Sequence, residues 1–589
     1  MRDTRRRLFR RREVQVLSLN VQAAASSHAR SHSHFEILVR HFLGRMLGNE
    51  VLGDDAPARL AQLGYAIALP GLLVALFLFP AYHGLPPHPH ERSYWSQADD
   101  HLFFATYAFV IMGMAMIFEW NALFPDTLDL YILSSLPLSR LRLLSARLVA
   151  LVILLGAVHL GTSALGTLFL PAVADLHCGF WRHFVAHAAG VTLAGLFAAA
   201  FFCTLQSLLV CIVPGRVLPH IAGLAKAISV VVLLTLFFLF PLTAHFLELL
   251  LASSFRAVHF VPSLWSLAVY ECVLWGASAP PIFAGLARTG IAATVGLCLS
   301  SALLYPLAYA RTVAHQLEGT STSRSPWRLP IWLSHPIDRL LLRSSADRAI
   351  FSFTWLTLLR LDRLQLYLSM YAGLGLALVL SELLAFRVQD HHVSLVITAT
   401  GVRTAPAIIS FWSVLGLRTA LRAPVGQRGR WIFPLISGKP RRLELRGAST
   451  LVITLASTLT LLATLLVNAA APPDVRSLSI IAAQGIVGLG STLLLADIAF
   501  LSQATIPFTE PARSSTKALP LVLVSFFIGF PLWVFACLQL QLWAEASVLH
   551  LLLLPAATLA LHTALTVCHR YLLSQTPSSD DLVLLDLRF

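Results

Sequence analysis

Charge is scarce in this chain. Only 12% of its 589 residues are Asp, Glu, Lys or Arg, about half the share usual in soluble domains. Too few charges remain to cover a water-facing globule of this size. Catalytic signatures are missing as well. Binding ATP phosphates needs a glycine-rich turn followed by Lys and then Ser or Thr, but the Gly438–Lys439 pair runs into Pro440 and has no upstream glycine. There is no His-Glu-x-x-His pair for zinc and no Gly-x-Ser-x-Gly turn for a nucleophilic serine. The seven cysteines are scattered without a CxxC pair, and spacing does not require Cys178 and Cys272 to be joined. The Arg-rich start is followed by no apolar core long enough for a cleavable signal. His88, His90 and Glu91, like Asp390, His391 and His392, fall in loops, where histidines are more often solvated than ligating. The expectation is a protein that is not an enzyme and carries no cofactor and no metal.

What is abundant is apolar surface, at 57% of residues. A membrane span needs about 20 mostly apolar residues, because roughly 30 Å of hydrocarbon is crossed at 1.5 Å per residue. Twelve segments meet that length: 63–82, 102–122, 148–170, 187–212, 221–243 and 289–310, then 366–386, 402–420, 448–471, 478–501, 519–541 and 547–568. Exposed backbone in lipid must satisfy its own hydrogen bonds, so the segments are helices. The predicted fold is an all-α polytopic membrane protein of about twelve transmembrane helices.

The net charge of +14 suggests nucleic acid until its distribution is examined. With the N-terminus inside, most of the 43 Lys and Arg residues lie in inner segments, including the Arg5–Arg7 and Arg10–Arg12 runs. That is the positive-inside bias. Both termini are therefore expected in the cytoplasm, the basic charge facing anionic lipid of the bilayer, and no nucleic acid is expected as a partner.

The spans fall into two sets of six, and a basic loop sits between the second and third span of each. Glu119–Arg147 and Arg418–Arg446 superpose with an offset of 299, which aligns Pro125 with Pro424, Leu136 with Leu435, Arg140 with Lys439, Arg142 with Arg441 and Arg147 with Arg446. Two six-helix pseudo-repeats are the expectation. Residues 1–62 form a basic N-terminal segment, 63–310 the first membrane half, 311–365 a linker, 366–568 the second half and 569–589 a tail. The linker contains the Ser/Thr/Pro/Arg-rich stretch Glu318–Pro330. An amphipathic stretch precedes each half. Phe35, Leu38, Val39, Phe42, Leu43 and Met46 recur at helical spacing, and Phe351, Trp355, Leu358 and Leu359 do so within Ala349–Leu364. Each is either a separate interfacial helix or an extension of the span that follows.

Ionisable residues inside spans carry a functional suspicion. His159 is the deepest, with Asp497 and His562 nearer the inner ends and Glu119 and Glu382 close to span ends. Asp497 serves either as a transport carboxylate or as the structural partner of a Ser, Thr or His on a neighbouring helix.

The stretch FPDTLDLYILSSLPLSRLRLLSAR resembles the cytoplasmic loop of bacterial type-2 ATP-binding-cassette (ABC) exporter permeases, through Asp126, Asp129, Leu136, Pro137, Ser139, Arg140 and Arg147. Val261–Gly276, ADRAIFSFTWLTLLR and ATIPFTEPARSSTK are similar to pieces of the same group. The resemblance implies a duplicated six-helix permease in the bacterial inner membrane. In that family this loop contacts a separate ATP-binding subunit. The docking residues implied are Glu119, Asp126, Asp129, Pro137, Arg140, Arg142 and Arg147 in the first loop, and Arg428, Arg430, Trp431, Lys439, Arg441 and Arg442 in the second. Val425 and Arg428 stand where the first loop has Asp126 and Asp129, so the second loop departs from the pattern. A twelve-helix secondary carrier and a non-transporting membrane protein are the alternatives. The cargo is left undefined.

Overall fold

The computed structural model describes residues 34–47, 56–86, 92–125, 127–174, 179–215, 217–252, 259–317, 342, 344–389, 392–423, 444–473, 476–501, 507–508 and 528–575. Its elements, in chain order, are α1 (His34–Leu47), α2 (Ala56–Tyr82), α3 (Tyr94–Phe118), α4 (Thr127–Ser134), α5 (Arg140–Ala174), α6 (Phe180–Ile212) and α7 (Leu218–Phe238). The short α8 (Phe240–His245), α9 (Leu247–Ala252) and α10 (Pro262–Trp275) precede the long α11 (Pro281–Leu317). The second half comprises α12 (Ser345–Arg360), α13 (Asp362–Leu383), β1 (Leu384–Gln389), β2 (His392–Ile397), α14 (Ala399–Arg422), α15 (Glu444–Ala470), α16 (Leu478–Phe500), α17 (Phe530–Glu545) and α18 (Val548–Gln575).

Eleven of the described helices are long and apolar enough to cross a bilayer: α2, α3, α5, α6, α7, α11, α13, α14, α15, α16 and α18. The chain is a helical, multi-pass membrane protein. The span expected at 519–541 is the one without a full counterpart. Residues 519–527 lie outside the described residues, and from Phe530 the chain forms the 16-residue α17, at about 24 Å too short to cross by itself.

Local chemistry sets the helix starts. Ser93 and Ser344 accept from the backbone N–H of Ser96 (3.3 Å) and Asp347 (3.0 Å), beginning α3 and α12. Thr398 and Ser477 do the same for Gly401 (3.0 Å) and Ile480 (3.2 Å), beginning α14 and α16. Each satisfies one of the orphan donors of a first turn. Pro70, Pro171, Pro306, Pro406 and Pro555 lie within membrane helices, where proline is tolerated more readily than in soluble helices.

The two amphipathic stretches form α1 and α12. α1 buries Leu38, Phe42 and Met46 and packs on α5. α12 buries Phe351, Thr354 and Leu358 and packs on α15. Leu361 is extended (φ −96°, ψ 108°) and separates α12 from α13, so α12 does not extend the next span. Gly447 allows the close approach: a Cβ there would lie 2.3 Å from the Asp347 carbonyl oxygen.

The short helix α10 wedges among α3, α6 and α11, and α17 sits among α14, α16 and α18. The halves meet along α7 and α13, where a Cβ on Gly373 would be 3.1 Å from Val231 Cα. The antiparallel β1–β2 hairpin, paired from Leu384↔Ile397 to Gln389↔His392, reaches across this join. Its Phe386 ring meets Phe246 edge-on at 5.5 Å.

Candidate functional site

The segment between α3 and α5 begins at Glu119, which ends α3, and continues as a 3-10 turn (Trp120–Leu123) and then α4. Nearly every neighbouring element holds it. The Gln206 side chain of α6 donates to the Trp120 carbonyl. Lys226 of α7 donates to Asn121 Oδ1 at 3.1 Å and lies over the Trp120 ring. Tyr305 of α11 donates to the Leu123 carbonyl (2.8 Å), and Gln316 donates to that of Pro125 (2.9 Å).

The centre of the segment is Asp129, a buried carboxylate on α4. Arg147 of α5 binds its Oδ2 at 2.9 Å, and Arg45 of α1 binds its Oδ1. The Arg147 guanidinium also lies 4.7 Å from the centre of the Phe42 ring on α1. One carboxylate thus joins the amphipathic helix, the loop helix and the third span. Other side chains of α4 are open, with Tyr131 70% and Ile132 63% exposed. Leu136, Pro137 and Arg142 are exposed beside them. Glu119 is largely enclosed, and burial pushes its carboxyl up to about 7.

Of the expected docking residues, Asp129 and Arg147 are therefore brought together in a buried pair. Glu119, Pro137 and Arg142 lie along the same segment, and Arg140 begins α5. Asp126 lies outside the described residues. So do Arg428, Arg430, Trp431, Lys439, Arg441 and Arg442 of the second loop.

The intramembrane residues are partnered. His159 Nε2 shares a 3.2 Å hydrogen bond with Thr192 Oγ1 of α6. Asp497 and His562, expected separately, form one pair between α16 and α18, with Oδ2 and Nδ1 2.7 Å apart. This is the partnership with a neighbouring histidine that was one of the two roles open to Asp497.

The densest polar cluster was not anticipated. It lies near the end of α3 remote from the loop, where α3, α6 and α10 meet. His101 Nδ1 and Glu271 Oε1 are 2.6 Å apart, and both side chains are 0% exposed. Tyr94 donates to Glu271 Oε2 at 2.9 Å. His183 Nε2 bonds the Tyr270 hydroxyl at 2.7 Å, and the Tyr270 ring stacks on His101 with centres 4.0 Å apart. His187 is buried against the same tyrosine, and neither of its ring nitrogens has a hydrogen-bond partner among the described residues. Beside them Asp100 is gripped by Arg92 through two 2.6 Å contacts and accepts from Tyr82 at 2.9 Å. Burial opposes the Arg92 charge, but the bonded Asp100 carboxylate outweighs it and holds the guanidinium above its ordinary value.

The second half has a smaller counterpart. Arg403 on α14 grips Glu545 on α17 (3.1 Å), which also accepts from Gln541 at 2.9 Å. Among the described residues, no group of three or more His, Cys, Asp or Glu side chains is arranged to hold a metal ion. The chain matches no family model, and no curated protein or solved structure is similar to it.

Proposed function

We propose that the chain is the membrane-spanning permease subunit of an ATP-driven transporter, an exporter, and that a separate ATPase subunit docks on α4. One observation carries this reading: α4 is held in place by Asp129 while its Tyr131 and Ile132 side chains stay exposed. Apolar side chains exposed on the spanning helices belong with lipid. On a short connecting helix followed by Ser135, Pro137, Ser139 and Arg142 they suit a protein partner, because exposed aromatic and aliphatic anchors ringed by polar groups mark interfaces. The bonds from α6, α7 and α11 supply the mechanical part, since rigid-body motion passes between elements that are packed and bonded together. The duplicated architecture belongs to the same reading. α1 on α5 corresponds to α12 on α15, and α10 among α3, α6 and α11 corresponds to α17 among α14, α16 and α18. The positive-inside bias supports a cytoplasmic α4 and cytoplasmic termini, and the bacterial inner membrane belongs to the exporter reading.

The test is purification of the full chain from its own membranes in mild detergent. An ATP-hydrolysing subunit should accompany it. Tyr131→Asp combined with Ile132→Asp should weaken that association at least about thirtyfold, as loss of a 2 kcal/mol anchor implies, with membrane insertion unchanged. If no ATPase accompanies the wild type, or if the double variant retains it fully, the docking reading fails. The buried His101–Glu271 pair favours a second reading, a gradient-driven secondary carrier. Transport that persists without any ATPase and stops when the proton gradient is collapsed would select that reading.

A further inference from the structure

Pro406 lies inside α14, which runs unbroken from Ala399 to Arg422. A proline has no N–H, so the carbonyl four residues earlier, that of Val402, loses its partner within the helix. Buried in a membrane helix, such an oxygen needs another donor. It finds one on α16. Gln484, 0% exposed, donates from Nε2 to the Val402 oxygen at 3.1 Å.

Its neighbours fix which way the Gln484 amide points. Asn468 of α15 turns its Nδ2 to the Thr464 carbonyl (2.7 Å), which can only accept, and the same Nδ2 donates to Gln484 Oε1. The nitrogen of Gln484 is thereby left for Val402. The match continues along both helices. A Cβ on Gly488 of α16 would lie 3.3 Å from Pro406 Cβ and 2.8 Å from Thr460 Cγ2 of α15, so this glycine seats the proline ring. Ser410 and Ser491 then share a 2.7 Å hydrogen bond. Val402, Pro406 and Ser410 thus meet Gln484, Gly488 and Ser491 in register, each set at the spacing of one helix face.

We propose that Gln484 is the clasp of a joint in α14: it supplies from α16 the hydrogen bond that Pro406 cannot, and closes the turn that spans the proline. The joint divides α14 into a first arm, Ala399–Ala405, and a second arm from Pro406 onward. Arg403, which grips Glu545 of α17 at 3.1 Å, belongs to the first arm. The position of α16 therefore governs how firmly that arm, with its contact to α17, continues the line of α14. A helix with a complete ladder of backbone bonds would be indifferent to α16 at this point.

The experiment is hydrogen–deuterium exchange of the full chain in lipid nanodiscs, read on peptides covering 399–410 in wild type, Gln484→Leu, Pro406→Ala and the double variant. Gln484→Leu strands the Val402 oxygen and should speed exchange of that segment about tenfold, as expected for one buried polar group left without a partner. Pro406→Ala restores a backbone N–H, so in that background the same Gln484→Leu change should speed exchange by less than about threefold. Rescue by removing a proline is an outcome that a merely space-filling Gln484 would not give. Equal acceleration in the two backgrounds overturns the proposal, and so does a Gln484→Leu chain with the wild-type profile. If Gln484→Leu fails to assemble, assembly becomes the readout: the double variant should assemble, and its failure to do so overturns the proposal. The measurement needs neither ATP nor a partner, so its failure would leave the docking reading untouched.

Discussion

Replacing Asp129 with Asn should release α4 while leaving the rest of the protein intact. Asp129 and Arg147 are a buried pair with side chains only 6% and 7% exposed, and removing one partner of such a pair typically costs about 3–5 kcal/mol. Arg45 is 42% exposed, so its share is screened and adds about 0–1 kcal/mol. The asparagine carbonyl still accepts one hydrogen bond, which returns about 1 kcal/mol. The net expectation is about 2–5 kcal/mol, or roughly 30- to 5,000-fold in the local opening equilibrium. The effect should stay local, because Tyr305, Gln316 and Lys226 hold the segment upstream of α4 through bonds that do not involve Asp129.

Hydrogen–deuterium exchange reads this directly. Peptides over 127–139 and over α1 should exchange faster by that factor, while 262–275 at the remote end stays unchanged. Arg147→Met supplies the check. It removes the charge that Asp129 neutralises, so the Asp129→Asn/Arg147→Met double variant should recover most of the loss, with a coupling of at least about 1.5 kcal/mol. Exchange that rises less than about threefold in Asp129→Asn (under 0.7 kcal/mol), or a strictly additive double variant, would refute the claim that this pair fixes the loop helix.

Two further outcomes follow from single positions. Gly447→Ala places a methyl 2.3 Å from the Asp347 carbonyl oxygen. It should cost about 1–3 kcal/mol and deprotect α12, whereas Gly285→Ala, with nothing within 4 Å, should be neutral or stabilising by up to about 1 kcal/mol in a detergent melting assay. Glu119 is raised by burial from 4.5 to about 7, so the folded state holds its proton more tightly than the unfolded chain does. Its contribution is complete below 4.5 and is lost as pH rises through about 7. Protection of 119–125 should therefore weaken across that window, and Glu119→Gln should remove this dependence.

The sequence made the membrane architecture legible because lipid imposes a simple rule, a long apolar run for every crossing. Eleven of the expected spans coincide with helices of sufficient length. The stripes at Leu38, Phe42 and Met46 and at Phe351 and Leu358 marked packed helices for the same reason, since one apolar face needs one partner. The polar cluster escaped because hydropathy counting discards what it contains. The span at 102–122 starts one residue after His101, the span at 187–212 omits His183, and Glu271 lies between the spans at 221–243 and 289–310. A signal was present: His183 and His187 are four apart on one helical face, as are Ser266 and Tyr270. The β1–β2 hairpin also carried one. Leu384, Phe386 and Val388 alternate, as do Val393, Leu395 and Ile397, yet the histidines between them drew attention to metal chemistry. His88, His90, Glu91, Asp390 and His391 fall outside the described residues.

The two ends of the first half differ in how they are held, and this bears on how a motion would travel. At the loop end, backbone carbonyls of Trp120, Leu123 and Pro125 are tied to α6 and α11, and Asp129 to α1 and α5. A displacement of α4 cannot be absorbed there without breaking several bonds, each about 1 kcal/mol or more, so it moves the helices as a set. At the remote end α10 is held by side-chain packing: its Leu264, Leu267 and Ala268 are buried with Ala98 and Leu102 of α3 and Phe283 and Leu286 of α11, and its Tyr270 stacks on His101. A push at α4 is therefore carried by α5, α6 and α11 together rather than lost in the loop.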